Sequence, residues 1–113
     1  MHELSLAINI IKIIEKEAAT HNGSLVTEVD IVIGELSGVM KVALMKAVKA
    51  LVKDSYLSSI QFIYTDTKAK AYCTDCGLVL PVADFVTGCN RCHSPHLDIT
   101  EGKELFVKSI TFE

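Results

Sequence analysis

The chain has 113 residues, half of them hydrophobic and 22% charged, an ordinary globular composition for one compact domain or two very small ones. Its formal net charge of −3 does not advertise a nucleic-acid or membrane partner, and no apolar run approaches the length of a membrane span. A basic leader with a small-residue cleavage site is missing at the N-terminus, so the expected compartment is the cytosol, where thiols stay reduced.

In chain order, Leu4, Ala7, Ile8, Ile11, Ile14 and Ala18 recur at helical spacing, which predicts an amphipathic helix from about Glu3 to Thr20. Asn22-Gly23 can supply the left-handed residue that ends it. Val29, Ile31 and Ile33 then alternate with Asp30 and Val32 in a strand stopping at Gly34. A second helix is expected to open at Ser37-Gly38, to carry Leu44, Ala47, Val48 and Leu51 along one face, and to finish near Asp54. Ile60, Phe62 and Tyr64 alternate in a second strand, and Phe106, Ile110 and Phe112 mark a third. Three strands and two helices predict an α+β protein: a small sheet with both helices on one face. Between the second and third strands lies a cysteine-rich, turn-rich stretch, residues 69–97, read as an inserted lobe that divides the α/β domain into residues 1–68 and 98–113.

That stretch contains Cys73, Cys76, Cys89 and Cys92 as two C-x2-C pairs separated by twelve residues. Two such knuckles offer four thiolates, a set that suits tetrahedral Zn2+ and leaves no open coordination position, so the implied zinc is structural. Disulfides are the alternative reading, disfavoured by a reducing compartment. The run Cys89 to His93 also matches the C-x-x-C-H pattern of haem attachment, but that would strand the first pair. His93 is instead expected just after the knuckle, where a residue tolerant of left-handed geometry is needed, or as a supporting donor. His96 is read as a solvated loop residue, and His21 as a cation placed near a helix end.

The chain opens Met1-His2-Glu3. The α-amine of Met1, the amide nitrogen of His2 and its imidazole Nδ1 can close two adjacent chelate rings, a nitrogen set that suits Ni2+ or Cu2+. Glu3 can add an oxygen or align the imidazole. The competing reading makes His2 an exposed residue at a helix start and Glu3 a first-turn acid favoured by the helix dipole.

The opening "MHELSLA", the segment "IVIGELSGV", the paired cysteines and the closing "HLDITEGKELFVKSITFE" together resemble the HypA/HybF family of [NiFe]-hydrogenase maturation nickel metallochaperones. The resemblance implies a nickel carrier and no enzyme, and none of the usual catalytic motifs is present. It implies nickel held at His2 and Glu3, with Met1 beside them, and zinc at Cys73, Cys76, Cys89 and Cys92. The implied partners are an accessory GTPase and a hydrogenase large-subunit precursor, with monomer and homodimer both open. A zinc-ribbon module binding protein or nucleic acid is the alternative, although Lys68, Lys70 and Arg91 make only a slender basic footprint. One segment departs from the family. An acidic or proline-containing stretch usually follows "LSGV", whereas this chain reads "MKVALMKAVKALVKDS". Lys46, Lys49 and Lys53 then fall within an arc of roughly 60° at helical pitch. Met40 and Lys41 cannot supply a carboxylate there, which leaves Glu35 as the nearest acid.

Overall fold

The computed structural model describes residues 2–22 and 24–113. Its elements run α1 (Glu3–Thr20), β1 (Val26–Gly34), α2 (Lys41–Val52), β2 (Gln61–Thr67), β3 (Lys70–Cys73), β4 (Val79–Pro81), β5 (Leu97–Glu101) and β6 (Leu105–Phe112). Two three-stranded sheets form, ordered β2-β1-β6 and β4-β3-β5. β1 and β2 are neighbours joined through α2, the connectivity of a βαβ unit. The expected two helices, three-stranded sheet and cysteine lobe are therefore present. None of the helices is long and apolar enough to cross a membrane among the described residues.

The chain forms two compact units, the first being Met1–Ile31, Val39–Thr65 and Phe106–Glu113. Its core takes Ala7, Ile10 and Ile14 from α1, Leu44, Val48 and Val52 from α2, and Val29 and Ile31 from β1. Both helical faces differ in detail from the sequence expectation. Leu4 and Ile8 are exposed while Ile10 is buried, and Leu51 is 38% exposed while Val52 is 6%. A helix with apolar residues around much of its circumference has several overlapping i, i+3, i+4 faces, and only the packing partner selects one. α1 ends on the Glu17 carbonyl, which accepts from Thr20 Oγ1 at 2.7 Å and lies 2.9 Å from His21 Nδ1. The His21 ring also stacks on Phe112, with centroids 3.8 Å apart. Asn22 does not turn left-handed, and Gly23 lies outside the described residues.

The second unit is Val32–Gly38 and Asp66–Leu105. Its core is small: Ala69, Ala71, Leu80 and Val82, with Leu36, Leu78, Leu97 and Ile99 packed against them. β3 pairs antiparallel with β4 (Tyr72 opposite Val79) and with β5 (Cys73 opposite Leu97). The sequence reading anticipated turns here but no sheet, because strands of three to five residues are too short for alternation to declare itself. Gly102 sits at φ 102°, and a Cβ on it would lie 2.5 Å from the Ala69 Cα, so glycine is required both by conformation and by space.

The positions of the two leucines of α2 give a direct test. Leu44→Ala is expected to cost about 3 kcal/mol, as for a fully buried leucine, and Leu51→Ala less than about 1 kcal/mol. Urea unfolding of both variants measures the difference, and equal losses would contradict the observed helix face.

Candidate metal centres

β3 delivers Cys73 at its C-terminal end, and the turn after it brings Cys76 back alongside; Cys89 and Cys92 occupy a second turn ahead of β5. The four sulfurs all lie within 4.8 Å of one another. Cys73 Sγ is 3.6 Å from Cys92 Sγ, and Cys76 Sγ is 3.7 Å from Cys89 Sγ. A tetrahedron with Zn–S bonds of about 2.3 Å has edges of about 3.8 Å, so these separations fit four thiolates around one such ion. They are far longer than the roughly 2.05 Å of a disulfide, and all four cysteines are free. Cys73 and Cys89 are buried, Cys76 is half-buried and Cys92 is exposed.

The two knuckles repeat one another bond for bond. Cys73 N–H donates to the Leu78 carbonyl at 2.8 Å, and Cys89 N–H donates to the Ser94 carbonyl at 2.8 Å. Gly77 N–H returns to the Cys73 carbonyl at 2.8 Å, and His93 N–H returns to the Cys89 carbonyl at 2.9 Å. The residue that closes each turn has positive φ, 81° at Gly77 and 63° at His93. His93 is the single non-glycine residue in that region among the described residues. It is there because the turn demands the conformation, and histidine tolerates it better than β-branched residues do.

Electrostatics within the cluster are uneven. Leu78 N–H, then the Arg91 guanidinium, draw the Cys76 thiol down to about 6. The N–H groups of Cys92 and Arg91 lower Cys89, whose sulfur they approach at 3.5 and 3.4 Å. Cys92 goes the other way: against the Ser94 N–H, which lowers it, burial and the three neighbouring sulfurs push it up to about 12. Four thiolates at this spacing repel one another, and a bound cation removes that repulsion. Polar contacts also tie one knuckle to the other. Asp75 accepts from Ser94 Oγ and pairs with His96 Nδ1 at 2.9 Å, while Arg91 Nη2 donates to the Cys76 carbonyl at 2.9 Å. His96 is an exposed loop residue, as expected, and its ring is engaged by Asp75; the Ser94 and His96 contacts lower the Asp75 carboxyl.

At the other end of the chain, His2 is the N-cap of α1 and exposed, and its carbonyl accepts from Leu6 N–H at 2.9 Å. Glu3 turns inward and is only 4% exposed. Its Oε2 accepts from Met40 N–H at 3.2 Å, the first cause of its lowered carboxyl pKa. Met40 is the N-cap of α2 and has no side-chain hydrogen bond of its own, so Glu3 meets an amide at the start of that helix. α2 begins at Lys41, later than Ser37-Gly38 suggests, because Gly38 is at φ 77° in the preceding turn. Met1 lies outside the described residues, and so does any chelate through its amine. Glu35 Oε2 accepts from Ala69 N–H at 3.3 Å within the second unit, a role no sequence signal indicated.

Comparison with known proteins gives a consistent match. The family model HypA, described as "Hydrogenase/urease nickel incorporation, metallochaperone, hypA", matches residues 1–112. The Hydrogenase maturation factor HypA of Parabacteroides distasonis is 35% identical over 113 residues, covering 100% of this chain and 98% of that protein. Its counterpart in Chlorobaculum parvum is 32% identical, with 100% of each chain covered. The solution structure of the Ni metallochaperone HypA from Helicobacter pylori superposes with a TM-score of 0.67 at 27% identity, covering 97% of this chain and 96% of that one. A second HypA solution structure gives 0.71 at 28% identity, covering 97% and 94%.

The knuckle geometry predicts opposite outcomes at one position. His93→Gly is expected to keep the metal as tightly as the parent, and His93→Val to release it several-fold faster to a chelator, since a β-branched residue is strained at φ 63°. Zinc release followed with a chromogenic chelator measures both; equal rates for the two would remove the conformational account of His93.

Proposed function

Because the chain belongs to the HypA family of nickel metallochaperones for hydrogenase maturation, which are not enzymes, we propose that it carries Ni2+ at its Met1-His2-Glu3 terminus and delivers it to a hydrogenase precursor. Zn2+ at Cys73, Cys76, Cys89 and Cys92 is the resident structural ion in this reading. The observation that carries it is the pairing of a closed four-sulfur cluster with a separate nitrogen-rich terminus. Soft thiolates suit zinc, and a closed tetrahedron has no position for a transferable cargo. The exposed His2 ring interacts electrostatically with the Glu3 carboxylate and offers the nitrogen that nickel prefers.

Glu3 acts in this reading chiefly by positioning. Engaged by Met40 N–H and by its own backbone N–H, its carboxylate anchors the start of α1 and fixes where His2 emerges. Delivery would involve an accessory GTPase and the hydrogenase large-subunit precursor in a cytoplasmic setting, with residues 69–97 serving as the metal-stabilised lobe and residues 1–68 and 98–113 as the nickel-binding part. Whether urease also receives the metal depends on which nickel enzymes the cell makes.

Nickel titration of untagged protein tests the site. His2→Ala should abolish stoichiometric nickel binding with zinc content and far-ultraviolet circular dichroism unchanged; wild-type nickel affinity in that variant would remove His2 from the site. Glu3→Gln, which keeps an oxygen for Met40 N–H, should bind nickel more tightly than Glu3→Ala. Extending the chain ahead of Met1 should weaken binding if the amine is a ligand.

Acidification provides a second test. Nitrogen ligands must shed their protons to bind, so nickel affinity falls as pH falls. The four-sulfur site, whose ligands all converge on one ion, is expected to hold zinc further into acid. Following each metal separately during acid titration should show nickel leaving first; joint loss in one step would mean that the two sites are not independent.

A further inference from the structure

The departure at α2 has a structural counterpart. Between α2 and β2, within the first unit, lies an open groove of about 500 Å³. Its floor is apolar, made by Val42, Met45, Phe62 and Tyr64 among others, and Lys46 and Lys49 stand along its lining. Val42 is 64% exposed and Met45 40%, so α2 leaves apolar side chains uncovered here, while Val48 and Val52, which also line the groove, are buried. β2 is an outer strand of its sheet, so no further strand of that sheet closes the groove.

The charge of this surface opposes that of the chain. α2 reads KVALMKAVKALV, without one acidic residue, and Lys53 follows it. Lys46, Lys49 and Lys53 have no carboxylate partner among the described residues, although the chain as a whole carries −3. We propose that this groove is the docking site for an acidic amphipathic helix of a partner protein, its apolar face on Met45 and Phe62 and its carboxylates against Lys46 and Lys49. The inference is independent of where nickel binds.

Shape and charge select that occupant. From Val42 to Val52 the groove follows ten residue steps of α2, about 15 Å at 1.5 Å per residue, and so spans about three turns of a partner helix. A helix presents apolar side chains as a ridge at i, i+3, i+4 and i+7, which fits a concavity. A lipid surface offers no ridge to fill it. A second copy of this chain meeting groove to groove would set Lys46 and Lys49 against their own equivalents, which like-charge repulsion disfavours. Carboxylates flanking the ridge instead meet cations at the rim, where they steer association and set orientation.

The test uses the full zinc-loaded chain, labelled for NMR, and three probes. The first is a synthetic helix of about three turns with leucines at i, i+3, i+4 and i+7 and glutamates around them. The second has lysines in place of the glutamates, and the third is vesicles of phosphatidylglycerol. The acidic peptide should shift the resonances of Met45, Phe62 and Tyr64. Its affinity should fall about tenfold in the Lys46→Glu, Lys49→Glu double variant and decline with added salt. Both positions are exposed, so circular dichroism should confirm an unchanged fold in the variant. Absence of binding, equal binding of the two peptides, or shifts confined to other residues would overturn the proposal. Binding to vesicles in preference to the acidic peptide would assign the groove to a lipid surface. Concentration-dependent shifts at Met45 and Phe62 without peptide would assign it to self-association.

Discussion

From Ile31 to Gly34 four consecutive residues of β1 are buried, so this stretch has no face turned to water and its backbone groups must find partners within the protein. β2 and β6 flank the strand and close the sheet around it. Just beyond, Gly34 N–H donates to the Glu104 carbonyl, Glu35 N–H to that of Thr67, and Leu36 N–H to that of Gly102. At Gly34 a side chain would run into the backbone of Gly102 and the nitrogen of Glu104. The strand's end is therefore held by backbone groups at van der Waals range, and Glu104 reinforces the contact. One of its carboxylate oxygens accepts from Thr67 Oγ1 at 2.7 Å and the other from Gly102 N–H at 2.9 Å, contacts that hold it below the usual carboxylate range.

The second unit shows what four sulfurs can substitute for. Two of its four core residues are alanines, so little apolar surface is available to offset the entropy of ordering the chain. The four-sulfur cluster fits a metal ion, and a cation shared there would supply the missing stabilisation, because binding it and closing both turns would be one event. The bond-for-bond repetition of the knuckles follows from this demand. Each must present two sulfurs from one tight turn, and each does so with the same pair of backbone bonds and one left-handed residue. Asp75 and Arg91 then brace each knuckle against the other, so the sulfurs converge from both sides.

The N-terminus works under a different constraint. In the proposed role it must hold a cargo ion and give it up, so the ligands cannot all be built into a packed core. Glu3 reconciles the two needs. It is buried and hydrogen-bonded where α1 begins, next to an exposed histidine. Its neighbour in space, Met40, stands at the head of α2, the helix that carries the exposed lysines and uncovered apolar residues. The proposed separation of tasks would account for one small chain carrying both a four-sulfur cluster and a histidine at the start of α1.

Much was legible in the sequence. The four cysteines declared their cluster by spacing alone, because two C-x2-C turns have few other geometric solutions. The two helices and the three long strands declared themselves by period, and the residues opening the chain stood out by chemistry. Tertiary structure decided the rest. Which stripe of α1 and α2 faces inward depended on the surfaces packed against them, so Ile10 and Val52 took places that Ile8 and Leu51 equally fitted. β3, β4 and β5 are too short to show alternation and exist because cross-strand hydrogen bonds and the sulfur cluster hold them together. The inward turn of Glu3 to Met40, the grip of Asp75 on His96 and the engagement of Glu35 by Ala69 join residues 37, 21 and 34 positions apart. Local pattern carries no information across such distances, and only the folded chain brings those groups within hydrogen-bonding range.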